Sequence, residues 1–313
     1  MKALLRLVRP LNLLIMAVTL VLVRYFIFLP VFKQNNLEGL MPDWQFLFLV
    51  LATLFIGGAG YIINDVLDIE LDKVNKPGQQ IIGRKISEER GKSLHFNLTG
   101  AGVLFGFVFA YFSGNVMLGI FFVIIPTALF YYSYKYKYLP AVGNLVVAFL
   151  SALVVLIYWV FEFYHLKKDP ASFVEASRYF ILLNRFILSF ALFAFLVSLM
   201  REIVKDAQDI EGDARFGCRT LPIVLGIPAT RLLVIVLEVI TIGGIAWFQW
   251  TLNRTGYSVM TWLLLPAQFL LLAAIFLTLG SKTKVSFARL SLLFKIIMLT
   301  GMLSLIATWF RIY

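Results

Sequence analysis

The stretch Asn64-Asp65-Val66-Leu67-Asp68-Ile69-Glu70-Leu71-Asp72 closes an apolar run from Phe46 to Ile63, where an ionised carboxylate is expensive. On a helix at about 100° per residue, Asn64, Asp65, Asp68 and Asp72 fall within an arc of about 100°. Three carboxylates on one face repel one another, so that face calls for a cation. An oxygen-only ligand set on such spacing suits Mg²⁺. The D-x2-D-x3-D spacing returns at Asp206, Asp209 and Asp213, again after an apolar run, Tyr179 to Met200. On a continued helix these three span an arc of about 60°. Six of the 17 acidic residues thus lie in two triads of identical spacing. Solvated helix ends, the plain alternative, have no reason to repeat both spacing and flank.

The elements that position these residues follow from composition. The chain has 313 residues, 61% of them hydrophobic and only 14% charged, too little charge to cover a water-soluble domain of this size. Apolar runs of about 18 residues or more read as membrane spans. We expect nine, at about 11–32, 45–66, 93–113, 116–134, 141–161, 179–201, 229–250, 258–279 and 290–310, in an all-α integral membrane protein with the helices around a central cavity. Ser113-Gly114-Asn115 reads as a tight turn between the third and fourth. The first span follows a basic N-terminus with no small-residue cleavage site after it, so it is expected to be retained.

The net charge of +11 invites a nucleic-acid reading, which the distribution argues against. With the N-terminus inside, 18 of the 28 Lys and Arg residues fall in inner segments, 6 in outer segments and 4 within or at the start of spans. That bias sets the orientation by the positive-inside rule. Both triads then lie at the cytoplasmic ends of spans two and six, and the C-terminus lies outside, in a multi-pass protein of the cytoplasmic (inner) membrane. His95 and His165 are expected in separate loops. Cys218, the single cysteine, has no partner for a disulfide or metal site and reads as a small apolar residue. No serine or cysteine nucleophile can be matched to a histidine.

The offset of 141 residues between triads suggests one membrane domain over residues 1–313 with two pseudo-repeat halves, about 11–134 and 141–279, plus a ninth helix at about 290–310. A duplication of this kind brings the two triads together across the cavity. Gly57-Gly58-Ala59-Gly60 supports close helix approach in lipid; with no preceding strand and no following G-K-S/T it is not a P-loop. Asn12 and Asn144 are expected to face the bundle, and Arg24 to snorkel outward or meet lipid. The run Tyr131-Tyr132-Ser133-Tyr134-Lys135-Tyr136-Lys137-Tyr138 reads equally as an interfacial belt and as a source of ligand contacts from Tyr134 and Lys137.

Lysines and arginines beside carboxylates would repel a bare cation. They suit a diphosphate bridged to the carboxylates through Mg²⁺, and at a membrane surface with a greasy cavity beneath, a polyprenyl diphosphate. Ionisation of its allylic C–O bond, assisted by Mg²⁺ and Lys/Arg, leaves a cation for an acceptor to trap, provided water is kept out.

The first motif, with Asn64, Asp65, Asp68, Asp72 and then Asn75-Lys76-Pro77, resembles the N-D-x2-D-x3-D…N-R-P signature of the UbiA superfamily of intramembrane prenyltransferases. Lys205-Asp206-Ala207-Gln208-Asp209-Ile210-Glu211-Gly212-Asp213, with Thr220-Leu221-Pro222, is similar to its second motif, and Tyr134, Lys137 and Gly143-Asn144 look like its loop and fifth helix. The resemblance covers essentially the whole chain. It implies metal ligation by Asp65, Asp68, Asp206 and Asp209, with Asp72 and Asp213 ligating or supporting them. It implies diphosphate or substrate contacts from Asn64, Arg84, Tyr134, Lys137, Asn144 and Lys205. Lys76 stands where the family has arginine, and Gln79-Gln80-Ile81-Ile82-Gly83-Arg84 replaces its usual continuation. Within the superfamily the chain looks most like the ether-lipid geranylgeranyltransferases. That implies transfer from geranylgeranyl diphosphate to the hydroxyl of geranylgeranylglyceryl phosphate; an acceptor bearing a phosphate would call for basic residues near the cavity, for which Arg9, Arg201 and Lys205 are candidates. Prenylation of an aromatic quinone precursor, of the 4-hydroxybenzoate or dihydroxynaphthoate type, is the alternative. A transporter is the non-enzyme alternative, and lysines beside both triads suit catalysis better. A CDP-alcohol phosphotransferase needs a single compact run of four aspartates, which is absent.

Overall fold

A computed structural model describes residues 2–75 and 77–311. Lys76, part of the first motif, lies outside the described residues. Nine described helices are long and apolar enough to cross a membrane: Pro10–Gln34, Asp43–Leu67, Glu88–Phe112, Val116–Tyr134, Val142–Leu166, Phe180–Arg215, Leu221–Arg254, Ser258–Gly280 and Lys284–Trp309. Among the described residues there is no β-strand, only an isolated bridge between Ile82 and Ile86. The chain is an all-α, multi-pass membrane protein. Large apolar side chains stand exposed along the spans, such as Ile181, Trp262 and Phe276, a surface that lipid covers and water would penalise.

The helices run longer than hydropathy suggests, because polar residues at their ends keep helical geometry. The sixth continues well past its expected end at position 201, to Arg215, and so carries the whole second triad on one continuous helix. The second stops at Leu67, with Asp68 at its C-terminus (φ −96°, ψ 11°), and a short helix restarts at Ile69–Asn75. The first triad therefore does not lie on one unbroken helix, as even spacing suggests. Its backbone ladder nearly continues, with Asp68 N–H donating to the Asn64 carbonyl at 3.0 Å and Asp72 N–H to that of Asp68 at 2.7 Å.

Two compact units make up the chain. The first comprises Met1–Leu20, Asn36–Lys137 and Ile157–Tyr179; the second comprises Val21–Asn35, Tyr138–Leu156 and Phe180–Tyr313. In the first unit, Asp43–Leu67 packs against Glu88–Phe112 and Val116–Tyr134. Small residues permit the approach, since a Cβ built on Gly60 would lie 2.9 Å from a Leu129 methyl, and one on Gly57 would lie 3.1 Å from Leu13 and Met16. The expected turn is present: Gly114 adopts φ +90°, a conformation that favours glycine, and Asn115 accepts the Met117 N–H. His95 is not in a loop. It sits buried in Glu88–Phe112 with its Nδ1 3.0 Å from the Ala59 carbonyl, where helix packing supplies the polar partner a buried ring needs. His165 likewise belongs to the last turn of Val142–Leu166.

In the second unit, Phe180–Arg215 packs against Leu221–Arg254 and Lys284–Leu303, and Ser258–Gly280 against both of the latter. Arg24 does not snorkel outward. It is buried at the start of a π-helical turn, Arg24–Phe28, with its guanidinium over the Tyr25 ring. That turn leaves the Phe26 carbonyl to accept the Thr308 hydroxyl. Cys218 is buried, as a small apolar residue should be.

Close approach of Asp43–Leu67 and Glu88–Phe112 depends on Gly102, where a Cβ would stand 2.6 Å from an Ile56 side-chain carbon and 3.2 Å from Ile56 and Ala52 backbone atoms. Backbone cannot yield as a side chain can. We expect Gly102→Ala to lower stability by about 1–3 kcal/mol in thermal unfolding of the detergent-purified protein. Gly100→Ala, with nothing within 4 Å of its Cβ, should leave the transition within about 0.5 kcal/mol.

Candidate active site

The first unit holds Asp65, Asp68 and Asp72 at the junction of Asp43–Leu67 and Ile69–Asn75. Asp65 receives Arg9 Nη2 at 2.7 Å. Arg9 reaches it from the connection between the short helix Lys2–Leu7 and Pro10, with φ +52° and its guanidinium 4.9 Å from the Tyr61 ring centroid. Asp68 is buried and paired with Lys137. Its other oxygen accepts from Asn64 Nδ2 at 2.9 Å, and Asn64 Oδ1 faces the Ser133 hydroxyl at 3.5 Å. Lys137 comes from the 3-10 turn Tyr136–Tyr138, just after the aromatic run. Tyr134 is 60% exposed and stacks on Phe130, so its contact here is aromatic. Arg84 is exposed and donates from Nη1 to the Gly78 carbonyl at 2.9 Å, within its own loop. Of the residues expected in this half, the fold brings Asn64, Asp68 and Lys137 together and leaves Arg84 and Tyr134 outside the described contacts of the carboxylates.

The second unit repeats the chemistry with different residues. Asn144, buried near the start of Val142–Leu166, donates from Nδ2 to Asp206 Oδ2 at 2.7 Å. Lys284, at the start of the last long helix, stands 3.8 Å from Asp209. Asp213 is buried, and its carbonyl accepts the Cys218 N–H at 3.0 Å, which ends the helix before Thr220-Leu221-Pro222. The Arg219 N–H then donates to the Tyr138 carbonyl at 2.9 Å. Lys205 is tied to Glu202 at 2.7 Å. Among the contacts described, each triad has an asparagine amide and a lysine on its carboxylates, and the first has Arg9 as well. Such partners are what ionised carboxylates near a low-dielectric interior require.

Sequence reasoning missed Lys284, Glu202 and Ser133. Lys284 lies far along the chain from Asp209, and Ser133 far from Asn64, so no local pattern reports them. Glu202 was legible in principle as an acid at the end of an apolar run, one helical turn before Asp206.

The donors fit a hard divalent cation. All are carboxylate oxygens, and no three His, Cys, Asp or Glu side chains converge among the described residues. Mg²⁺ usually takes one or two carboxylates and completes its shell with water and substrate phosphate. Such a cation, once bound, would supply charge to a phosphate-bearing leaving group.

The model of the UbiA prenyltransferase family matches residues 36–299, a stretch that contains both triads and their asparagine and lysine partners. The chain belongs to the UbiA prenyltransferase family. Among curated relatives, a digeranylgeranylglyceryl phosphate synthase of Pyrococcus horikoshii is 32% identical over 193 residues, 60% of each chain. One from Thermococcus kodakarensis is 28% identical over 259 residues, 82% of this chain and 83% of that one. The chain spans about 60% of the length of the first of these relatives. A solved structure described as giving insight into digeranylgeranylglyceryl phosphate synthase in membranes superposes with a TM-score of 0.65 at 23% identity, covering 97% and 96% of the two chains. A UbiA homolog from Archaeoglobus fulgidus bound to GPP and Mg²⁺ gives 0.58 at 14% identity, covering 97% and 99%. These two likenesses establish the fold.

The Lys137–Asp68 pair is about nine-tenths buried on both sides, so removing one partner strands a charge. We expect Lys137→Met to cost about 3–5 kcal/mol of stability, and Asp68→Asn in the same chain to restore a large part of it. A double-mutant cycle on unfolding free energies reads the coupling.

Proposed function

We propose that the protein transfers a geranylgeranyl group from geranylgeranyl diphosphate to the free hydroxyl of geranylgeranylglyceryl phosphate, releasing diphosphate. The observation that carries this reading is the pair of matched carboxylate triads, each already holding an asparagine amide and a lysine, inside the stretch that matches the family model. The curated relatives bear the name of that activity, and the Archaeoglobus fulgidus structure carries a shorter prenyl diphosphate with Mg²⁺.

On this reading the chain is one domain built as two pseudo-repeat halves, each of which carries one triad. Asp65, Asp68, Asp206 and Asp209 would hold the metal ions, with Asp72 and Asp213 ligating or supporting them. Mg²⁺ held there would supply positive charge to the diphosphate leaving group. Lys137 and Asn64 orient the same diphosphate, since each already sits within bonding reach of Asp68. Arg9, whose Nη2 lies 2.7 Å from Asp65, offers a charge for a phosphate oxygen beside that carboxylate. Arg84 and Tyr134 line the approach of the substrate. The apolar spans take the prenyl chain and keep water from the carbocation. The acceptor oxygen then forms the new C–O bond as its proton leaves to solvent or a carboxylate. The protein works in the cytoplasmic membrane, in lipid biosynthesis, with both triads on the cytoplasmic side. The excess of Lys and Arg in the inner segments supports that orientation.

Purified protein with Mg²⁺, labelled geranylgeranyl diphosphate and geranylgeranylglyceryl phosphate should form a diether phosphate. 4-Hydroxybenzoate and dihydroxynaphthoate in separate reactions should give no comparable product. Asp65→Ala and Asp206→Ala should each reduce turnover by about three orders of magnitude or more while the thermal transition persists. Chelation by EDTA should do the same, reversibly. Full turnover in either variant or in EDTA would contradict the mechanism, and a faster aromatic acceptor would contradict the substrate.

A further inference from the structure

Glu238 takes no part in the site described above. It lies on Leu221–Arg254, nine residues past the start of the apolar run expected at 229–250. At the helical rise that is about 14 Å into a hydrocarbon core about 30 Å thick. An ionisable residue at such depth marks function more often than packing. Glu238 is fully buried. Among the described residues its polar contact is Thr278 Oγ1, 2.9 Å from Oε1, and Oε2 is buried without a hydrogen-bond partner. The charged groups of the neighbouring elements are engaged elsewhere. On the same helix Arg231 donates to the Leu279 carbonyl at 2.8 Å. Ser258–Gly280 carries no ionisable side chain. Phe180–Arg215 holds Arg185 near one end and Arg201, Glu202 and Lys205 toward the other, and these last three pair among themselves.

The hydrogen bonds around Glu238 have to balance proton by proton. Thr278 Oγ1 also lies 2.8 Å from the Ala274 carbonyl, and a hydroxyl has one proton to give. Thr230 and Thr241 on Leu221–Arg254, and Ser281 just after Ser258–Gly280, each give theirs to the carbonyl four residues back, at 2.9, 2.7 and 2.7 Å. With Thr278 bonded in the same way, the proton in its contact with Glu238 has to come from Glu238. Oε1 then carries a hydrogen and donates to Thr278 Oγ1, and Oε2 is a carbonyl oxygen. In the other assignment Thr278 donates to an ionised carboxylate with one neutral donor, no cation and a bare second oxygen. A neutral acceptor left unmade costs far less than a charge buried alone. Glu162 and Glu202, which are also buried, have a donor on each oxygen; Glu238 does not.

We infer that Glu238 is a proton-binding site within the membrane, an uncharged carboxylic acid that bolts Leu221–Arg254 to Ser258–Gly280 through Thr278. The inference uses nothing of the reaction proposed above. Two other side chains tie the same pair of helices, Gln249 through Nε2 to the Thr261 carbonyl at 2.9 Å and Arg231 to the Leu279 carbonyl. One of them is neutral and the other permanently charged, so of the three ties only the one at Glu238 depends on a bound proton. It grips Ser258–Gly280 two residues before its end, where the chain turns toward Lys284 and its contact with Asp209.

Infrared difference spectroscopy reads this proton directly. The full chain in lipid vesicles at neutral pH is compared with Glu238→Gln, so that any other protonated carboxyl appears in both spectra and cancels. We expect the wild type to show one additional C=O band of a protonated carboxyl, shifted to lower frequency in D₂O, and Glu238→Gln to lack it. Thr278→Val keeps the acid and removes the oxygen that accepts its proton, so the band should persist and move to higher frequency. That variant supplies the reading if Glu238→Gln does not fold. Wild-type and Glu238→Gln spectra that coincide in this region mean an ionised carboxylate and overturn the inference. A band that appears only after Na⁺ and K⁺ are replaced by a bulky organic cation does so too, because a metal cation then holds the charge. A band of unchanged frequency in Thr278→Val overturns the bolt.

Discussion

An ionised carboxylate next to a membrane interior has to be given a partner, and the arrangement of this protein follows from that requirement. Asp65 receives an arginine, Asp68 a lysine and an amide, Asp206 an amide, Asp209 a lysine, and Glu202 both an arginine and a lysine. In a low-dielectric setting an unpaired charge costs several kcal/mol. The same partners are also the donors that a phosphate needs. Stability and recognition therefore draw on one set of side chains, which explains why cations crowd a site whose proposed metal would repel them.

Two different backbone solutions bring the carboxylates to the required place. In the first unit the long helix stops at Asp68 and restarts one residue later. The break sets Asp72 on the short helix, and Gly78 adopts a φ of +80°. In the second unit the helix runs unbroken to Arg215, so the second triad keeps a regular helical face. Helix packing then delivers partners from elsewhere in the same unit. Asn64 meets Ser133 of the span Val116–Tyr134, and Asn144 meets Asp206 from a different span. Glycines at 57, 60 and 102 leave room for this, since each would press a Cβ into a neighbouring helix.

Elsewhere a buried acid has a purely structural duty. Glu162 is fully buried, accepts the Met41 N–H at 3.0 Å and the Tyr158 hydroxyl at 2.5 Å, and so ties the segment before Asp43–Leu67 to the span Val142–Leu166. The contrast with Glu202 is instructive. Each oxygen of Glu162 accepts from a neutral donor. Glu202 instead meets two cations, Arg201 and Lys205, on the helix that carries the second triad.

The nine spans, the two triads and the turn at Ser113-Gly114-Asn115 were legible in the amino-acid order. Hydropathy over a membrane-length window, acidic spacing and glycine preference are local properties that act before any packing does. The helical placement of both histidines, the burial of Arg24, the break at Asp68 and the partners Ser133 and Lys284 were not legible. Local order specified where charge would be costly and what kind of ligand could offset it. Only the tertiary structure decided which side chain answers each carboxylate, because a charge in a poor dielectric pairs with whatever donor packing brings within about 3 Å, and packing joins residues that the chain holds far apart.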